Sequence, residues 1–273
     1  MKDRKIIFHD EAMLSKSMEE NFHFQHALNH CMQIYNSNSI CSFIPKNLST
    51  SMRTSIAVEN KYINFDKEGM NWNNYNTTFF KPTFKDLFNA NFTFVILRNP
   101  FGRLYSFFCD FVSREAQNIH SKLLLSIIKE ILNKSISDLT FEEFIKLLDG
   151  DLIHSNSHWS PQKYFLIYEN YDLYVPFEKF NEYINKIEKY ANIKIYDTRS
   201  LKPFGLNKHE KISDTYYGNF KGSEIKELKK LGKIPNIKSM FNDDLINIVK
   251  RLFQDDISLY KKKFTVDPLD IFN

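Results

Sequence analysis

The sequence predicts an α/β fold, a single domain with a central, mostly parallel sheet flanked by helices, and three observations predict it. Short β-type runs alternate with longer stretches of helical spacing, the runs end in turn-forming residues, and no repeat or low-complexity linker divides the chain. At 273 residues, 42% hydrophobic and 26% charged, the chain is long enough to bury one substantial core. One domain over residues 1–273 is therefore expected, with an N-terminal helical segment of about residues 1–38 packed on it. With 7 Gly against 26 Phe and 14 Tyr, large rings must fill the interior, and any anion site must be built with few glycines.

Residues 15–33 and 121–133 carry apolar and polar side chains at helical spacing, and Thr140 with Glu143 forms a capping box ahead of residues 144–148. Residues 40–44, 92–97, 164–168 and 173–175 read as strands bounded by Pro, Asn or charged residues. Residues 71–76 are polar enough for a loop, and residues 195–220 show no clear period. Residues 243–264 read as one long amphipathic helix, acidic in its first turn and lysine-rich in its last, as the helix dipole prefers. In sheets of this kind ligands bind where a strand's carboxyl end turns into the next helix, so the turns are where chemistry is expected.

The net charge of +4 is spread along the chain, unlike the dense basic stripe of a nucleic-acid binder, so no nucleic-acid partner is expected. No stretch approaches the roughly 18 unbroken apolar residues of a membrane span, so no integral membrane segment is expected. Cys31, Cys41 and Cys109 are odd in number and lack C-x-x-C spacing, which indicates neither a disulfide framework nor a zinc knuckle and suits a reducing cytoplasm. Abundant Lys and Asn suggest a low-GC coding genome, and a cytoplasmic, bacterial protein is expected. His23, His26 and His30 would share one helix face, where imidazoles could ligate zinc, but no fourth ligand can be named, so a polar surface face and no metal are expected.

Two turns carry the chemistry. The run from Cys41 to Arg53 is a β-type segment, a proline stop, Lys46, Asn47 and then Ser49, Thr50 and Ser51 opening a helix. Backbone N–H groups and hydroxyls at a helix start can surround a phosphate while the lysine supplies a mobile charge. The Walker pattern G-x-x-x-x-G-K-[ST] is absent. One strand later, Arg98 ends residues 92–97, Pro100 marks the turn, and Arg103 and Ser106 enter the next helix. The guanidinium of Arg98 and the hydroxyl of Ser106 can grip a second phosphate, which suggests a ligand phosphorylated at both ends.

The pair I-P-K-x-x-S-T-S and R-x-P-x-x-R-L-x-S resembles the two nucleotide motifs of carbohydrate sulfotransferases that use 3′-phosphoadenosine 5′-phosphosulfate (PAPS), closest in style to the 2-O-sulfotransferase and chondroitin-type branch. His158-Trp159-Ser160-Pro161-Gln162 and Val175-Pro176-Phe177-Glu178 resemble later elements of that family, in the right order, so the resemblance spans most of the chain. It implies a P-loop nucleotide-kinase-like sulfotransferase fold, PAPS as donor, adenosine 3′,5′-bisphosphate as product, a glycan acceptor and no metal. It places Lys46, Asn47, Ser49, Thr50 and Ser51 on the 5′ side of the nucleotide and Arg98 and Ser106 on its 3′-phosphate.

Sulfuryl transfer needs positive charge on the leaving oxygen, for which Lys46 is the candidate, and a base for the acceptor hydroxyl. Relatives in the 2-O branch place a histidine between the two nucleotide motifs, and here none lies between Lys46 and Arg98. His158 is the favoured base, Glu68 the alternative, and Glu59 and Asp66 weaker ones. Trp159 and Gln162 are candidate substrate-binding residues, and Lys221-Gly222-Ser223 a candidate loop over the nucleotide. Two other functions stay open. A P-loop kinase-like phosphotransferase would need an acidic, magnesium-holding residue at a strand end, where this chain has Arg98. A non-catalytic nucleotide- or glycan-binding protein of the same fold would lack a working base.

Overall fold

The computed structural model describes residues 4–7, 17–65, 79–113, 126, 128–201 and 208–273. Along the chain run α1 (Phe22–Leu28), β1 (Cys31–Ile34), β2 (Ser39–Ser42), α2 (Ser49–Glu59), α3 (Phe84–Asn89), β3 (Phe92–Leu97), α4 (Pro100–Phe111) and α5 (Phe141–Leu148). They are followed by β4 (Leu173–Pro176), α6 (Phe180–Ala191), β5 (Glu210–Ile212), α7 (Gly222–Lys230), β6 (Lys233–Pro235), α8 (Asp243–Leu252) and α9 (Gln254–Phe264). The chain divides into two compact units, the first Met1–Arg98 with Pro161–Leu201 and the second Asn99–Ser160 with Lys202–Asn273.

The first unit holds a sheet of order β1-β2-β3-β4, antiparallel at β1/β2 and parallel at β2/β3 and β3/β4. The expected α/β class with a mostly parallel sheet is what the chain adopts. Every residue of β3 is buried, which is why Phe92 to Leu97 is an unbroken apolar run with no polar alternation. On one face, Cys41, Phe94, Ile96 and Val175 pack with Met52 and Ile56 of α2 and with Phe180 and Ile187 of α6. On the other, the Ser42 hydroxyl meets the Tyr171 hydroxyl at 2.6 Å and the Cys31 thiol at 3.3 Å.

The second unit is built on α4, whose apolar rings Phe101, Phe107 and Phe108 join Phe141 and Phe144 of α5 and Phe241 and Phe253 further on in a single core. Edge-on pairs such as Phe108 with Phe141 at 5.2 Å and Phe141 with Phe241 at 4.9 Å fill it with rings, as the composition requires. Asn99 caps α4 with its side chain and Pro100 takes the first helical position, where a missing N–H costs nothing. Thr140 and Glu143 close the expected capping box on α5.

Three elements differ from the sequence reading. Residues 31–33 form strand, not helix: α1 runs only from its Asn21 cap to Leu28, and Cys31 to Ile34 then pair back onto β2. Tertiary pairing there overrides helical spacing, and residues 1–38 are not wholly helical in their described part. Residues 164–168 form no strand: a 3₁₀ turn occupies Gln162–Phe165, and Tyr168 makes an isolated antiparallel bridge with Ile6, the Ile7 N–H donating to the Ile167 carbonyl at 2.9 Å and the Glu169 N–H to the Lys5 carbonyl at 3.0 Å. The Tyr171 hydroxyl accepts from the Ile167 N–H at 2.9 Å and the Tyr168 hydroxyl donates to the Leu87 carbonyl at 2.8 Å. The long terminal helix breaks into α8 and α9 at Phe253 (φ −115°, ψ 26°), whose ring is buried in the core. The expected loop at residues 71–76 lies outside the described residues.

The first unit also contains a buried ion pair. The Arg4 guanidinium, 8% exposed, donates to the Ala90 carbonyl (2.9 and 2.8 Å), the Thr93 hydroxyl (3.1 Å) and the Asp172 carboxylate (2.7 Å). Removing the carboxylate alone strands a buried cation, so Asp172→Ala is expected to cost about 3 kcal/mol, read as a lower urea midpoint at an unchanged slope. Arg4→Met with Asp172→Ala together should cost less than Asp172→Ala alone.

Candidate functional site

In the first unit the two predicted turns lie side by side. Lys46 and Leu48 both adopt left-handed backbone, with φ of 72° and 61°, between the end of β2 and the start of α2. Glycine usually takes such positions, and a run of unusual backbone between strand and helix is how a chain aims successive N–H groups into one concavity. Here the turn is made without any glycine.

Side chains hold that turn in shape. Asn47, 1% exposed, donates through Nδ2 to the Ile96 carbonyl (2.9 Å) and to Gln162 Oε1 (2.6 Å). Gln162 accepts on the same oxygen from the Arg98 N–H (3.0 Å) and donates through Nε2 to the Arg98 carbonyl (2.8 Å). Arg98 returns a bond from Nη1 to the Lys46 carbonyl at 2.9 Å, and its guanidinium lies 4.0 Å over the Phe177 ring. Lys46, Asn47, Arg98 and Gln162 thus form one connected cluster. Sequence reasoning missed Phe177 as the platform under Arg98, although its place directly after β4 was visible.

The start of α2 carries a positive end that its own side chains do not offset. Among the described α-helices it alone has neither a side-chain cap nor an acidic residue in its first turn, whereas α3, α5 and α8 have both. The positive end of its dipole is therefore left uncompensated by its own side chains. Ser49 and Thr50 stand half-buried in that turn. Arg53, one turn further on the Ser49 face, adds positive charge: burial lowers its guanidinium to about 10, still charged at neutral pH. The spacing Ser49-x-x-x-Arg53 could have flagged it.

Several expectations are corrected. Ser51, expected on the nucleotide, is 1% exposed and bonded to the Thr198 hydroxyl at 3.0 Å and the Thr198 N–H at 3.1 Å, so it anchors Thr198. Gln162, expected on substrate, is 1% exposed and committed to Asn47 and Arg98. Trp159, in the second unit, is likewise 1% exposed, packs edge-on against Phe107 and donates to the Leu152 carbonyl at 2.7 Å, which leaves no ring face for a sugar. Glu59 lies at the far end of α2 from Lys46, roughly 15 Å along the axis, so it cannot act at this turn. Lys221, Gly222 and Ser223 are no loose lid, because Gly222 and Ser223 N–H donate to the Leu139 and Ser137 carbonyls at 2.8 and 2.9 Å. A Cβ on Gly222 would lie 2.6 Å from the Ile136 carbonyl oxygen. Glu68 and Asp66 lie outside the described residues.

In the second unit Ser106 lies two turns into α4, and His158 sits half-exposed in the loop before Trp159. The His158 N–H and Nδ1 both lie within hydrogen-bond distance of Asn156 Oδ1, at 2.9 and 3.0 Å.

The three histidines of the α1 region are each half-buried against rings, His23 stacking on Tyr164 at 5.6 Å. The rings of His26 and His30 lie 4.6 Å apart, both edge on to Phe165, and His30 Nδ1 donates to the His26 carbonyl at 2.8 Å. Among the described residues no three His, Cys, Asp or Glu side chains converge as a metal site, and no helix is long and apolar enough to cross a membrane.

The family model described as "Sulfotransferase family" matches residues 18–263, running through both units. Comparison with curated proteins and with solved structures gives no match.

Gln162→Ala strips partners from Asn47 and from both backbone groups of Arg98, and should destabilise the first unit by about 2–4 kcal/mol, with faster hydrogen exchange at the Arg98 amide. Burial, and then the neighbouring His23, pushes the His26 imidazole below its ordinary 6.5, and its buried Nε2 has no acceptor. The unfolded chain then binds that proton more readily, so His26 supports stability above about pH 6.5, and the contribution is lost as pH falls through that value towards the folded one. His26→Phe should flatten the melting temperature between pH 6.5 and 5.

Proposed function

The chain belongs to the sulfotransferase family, and from that premise we propose that it transfers a sulfuryl group from PAPS to a hydroxyl of a glycan. Within the family we place it in the 2-O-sulfotransferase and chondroitin-type branch, as one domain over residues 1–273. The observation that carries the donor assignment is the uncapped start of α2 joined to a Lys46 turn that is locked onto Arg98. A ligand with phosphate at both ends of a nucleoside meets that charge pattern.

In this reading PAPS supplies the sulfuryl group, and the chain's residues bind, orient and move a proton. Ser49, Thr50 and the first turn of α2 hold the 5′ phosphate, while Lys46 neutralises charge growing on the oxygen that leaves sulfur. Arg98 and Ser106 hold the 3′-phosphate. His158 takes the acceptor's proton as the new sulfur–oxygen bond forms. Asn47 and Gln162 act through the shape of the turn. The reading assigns no metal, since Lys46, Arg53 and Arg98 meet the anionic charge. A bacterial, cytoplasmic precursor of a surface polysaccharide is the proposed acceptor.

Calorimetric titration of the purified protein with adenosine 3′,5′-bisphosphate and with ATP tests this directly. The bisphosphate should bind without magnesium and ATP weakly, and Arg98→Ala should weaken the bisphosphate at least about tenfold. A magnesium-dependent preference for ATP would overturn the proposal in favour of a kinase-like activity.

A further inference from the structure

The second unit shows a histidine loop held more tightly than a surface turn requires. Arg103 of α4 is 1% exposed, and it grips this loop twice: Nη1 donates to the Ser160 carbonyl at 2.6 Å and Nη2 to the Ser157 carbonyl at 2.9 Å. Those two carbonyls bracket His158 and Trp159. Asn156, 9% exposed, gathers the same loop from within, its carbonyl accepting from the Ser160 N–H (3.0 Å) and hydroxyl (2.7 Å). Its side chain turns towards His158.

The hydrogen-bond geometry settles which ring nitrogen carries the proton. The His158 backbone N–H can only donate, so the Asn156 side-chain atom 2.9 Å from it is the oxygen and not the amide nitrogen. The same oxygen lies 3.0 Å from Nδ1, and an amide oxygen has two lone pairs and no hydrogen to give. Nδ1 must therefore be the donor. The opposite tautomer would set two lone pairs against each other across that distance. With Nδ1 protonated, the basic nitrogen of the neutral ring is Nε2.

We propose that Asn156 and Arg103 are positioning residues for the transfer reaction: Arg103 clamps the loop on either side of His158, and Asn156 holds the ring as the Nδ1–H tautomer so that Nε2 receives the acceptor's proton. The proton leaves the acceptor hydroxyl as its oxygen bonds to sulfur and the sulfur–oxygen bond to the nucleotide breaks, leaving an imidazolium on the enzyme and the bisphosphate as product. The inference rests on His158 being the base of the proposed activity.

Long-range ¹⁵N–¹H spectra of the full chain labelled at histidine, with His158→Gln to assign the signal, test it without knowledge of the acceptor. The wild type should show a protonated Nδ1 and a bare Nε2. Asn156→Ala should move the signal towards the Nε2–H form, and Arg103→Lys, which keeps the charge but loses the two-carbonyl fork, should move it part of the way. Asn156→Asp, which keeps the acceptor and guards against a misfolded alanine variant, should preserve the Nδ1–H form and raise the ring's titration midpoint by roughly one unit or more. An Nε2–H signal in the wild type, or an unchanged signal in Asn156→Ala, overturns the positioning role. Titrating the same samples with adenosine 3′,5′-bisphosphate separates the two readings. An Nδ1–H signal without bisphosphate binding sinks the donor assignment and the catalytic meaning of the tautomer. Bisphosphate binding with an Nε2–H signal sinks the positioning role alone.

Discussion

Gln162 makes its hydrogen bonds as a strand neighbour would, giving and receiving one at the backbone of Arg98, and it uses the same oxygen to hold Asn47. That one buried amide fixes the end of β3 against the turn that carries Lys46, and the placement of two charged residues follows from it. Arg98 then closes the circuit by donating to the Lys46 carbonyl while resting on Phe177. A flexible lysine on an unsupported turn would sample many positions. Here its backbone is determined from three sides by bonds that are all inside the first unit.

The need for such support comes from the backbone itself. Two non-glycine residues in left-handed conformation cost roughly 1–2 kcal/mol each, and this turn has them at Lys46 and Leu48. Glycine would remove the strain, but a glycine in place of Lys46 would also remove the charge. The Asn47, Gln162 and Arg98 bonds, each worth about a kcal/mol and more where charge is involved, are of the size needed to offset it. A chain with only 7 glycines thus builds this strand-to-helix turn from side-chain bonds, where a Walker loop relies on glycine.

Much of this was legible in the sequence because the signals are local. β3 is an apolar run closed by Arg98 and Pro100, the capping box at Thr140 is a four-residue pattern, and the proline, lysine and hydroxyls around α2 follow one another directly. What could not be read depends on partners far along the chain. β1 is a strand because β2 lies beside it, and Tyr168 pairs with Ile6, 162 residues earlier, outside the four-stranded sheet. Ser51, Trp159 and Gln162 have the right chemistry for a ligand, and only burial and contacts reveal that Thr198, Phe107 and Arg98 occupy them instead. A polar residue in a motif is therefore ambiguous between touching a ligand and shaping the loop that does.

The histidines show the same ambiguity resolved by environment. His26 is held among rings, with a buried Nε2 that meets no acceptor, so charging it works against burial and its affinity for a proton falls. His30 gives its Nδ1–H to a carbonyl, but its ring packs on Phe43 and Phe165 at 5.3 and 4.7 Å. His158 combines a half-exposed ring with an amide oxygen that dictates its tautomer, on a loop whose carbonyls are gripped by a buried guanidinium. A base must reach its substrate and must also present the correct nitrogen, and under the proposed activity the Asn156 oxygen would leave Nε2 of His158 as that nitrogen. Under the proposed activity His158 would take the role of proton acceptor, with no histidine needed between Lys46 and Arg98.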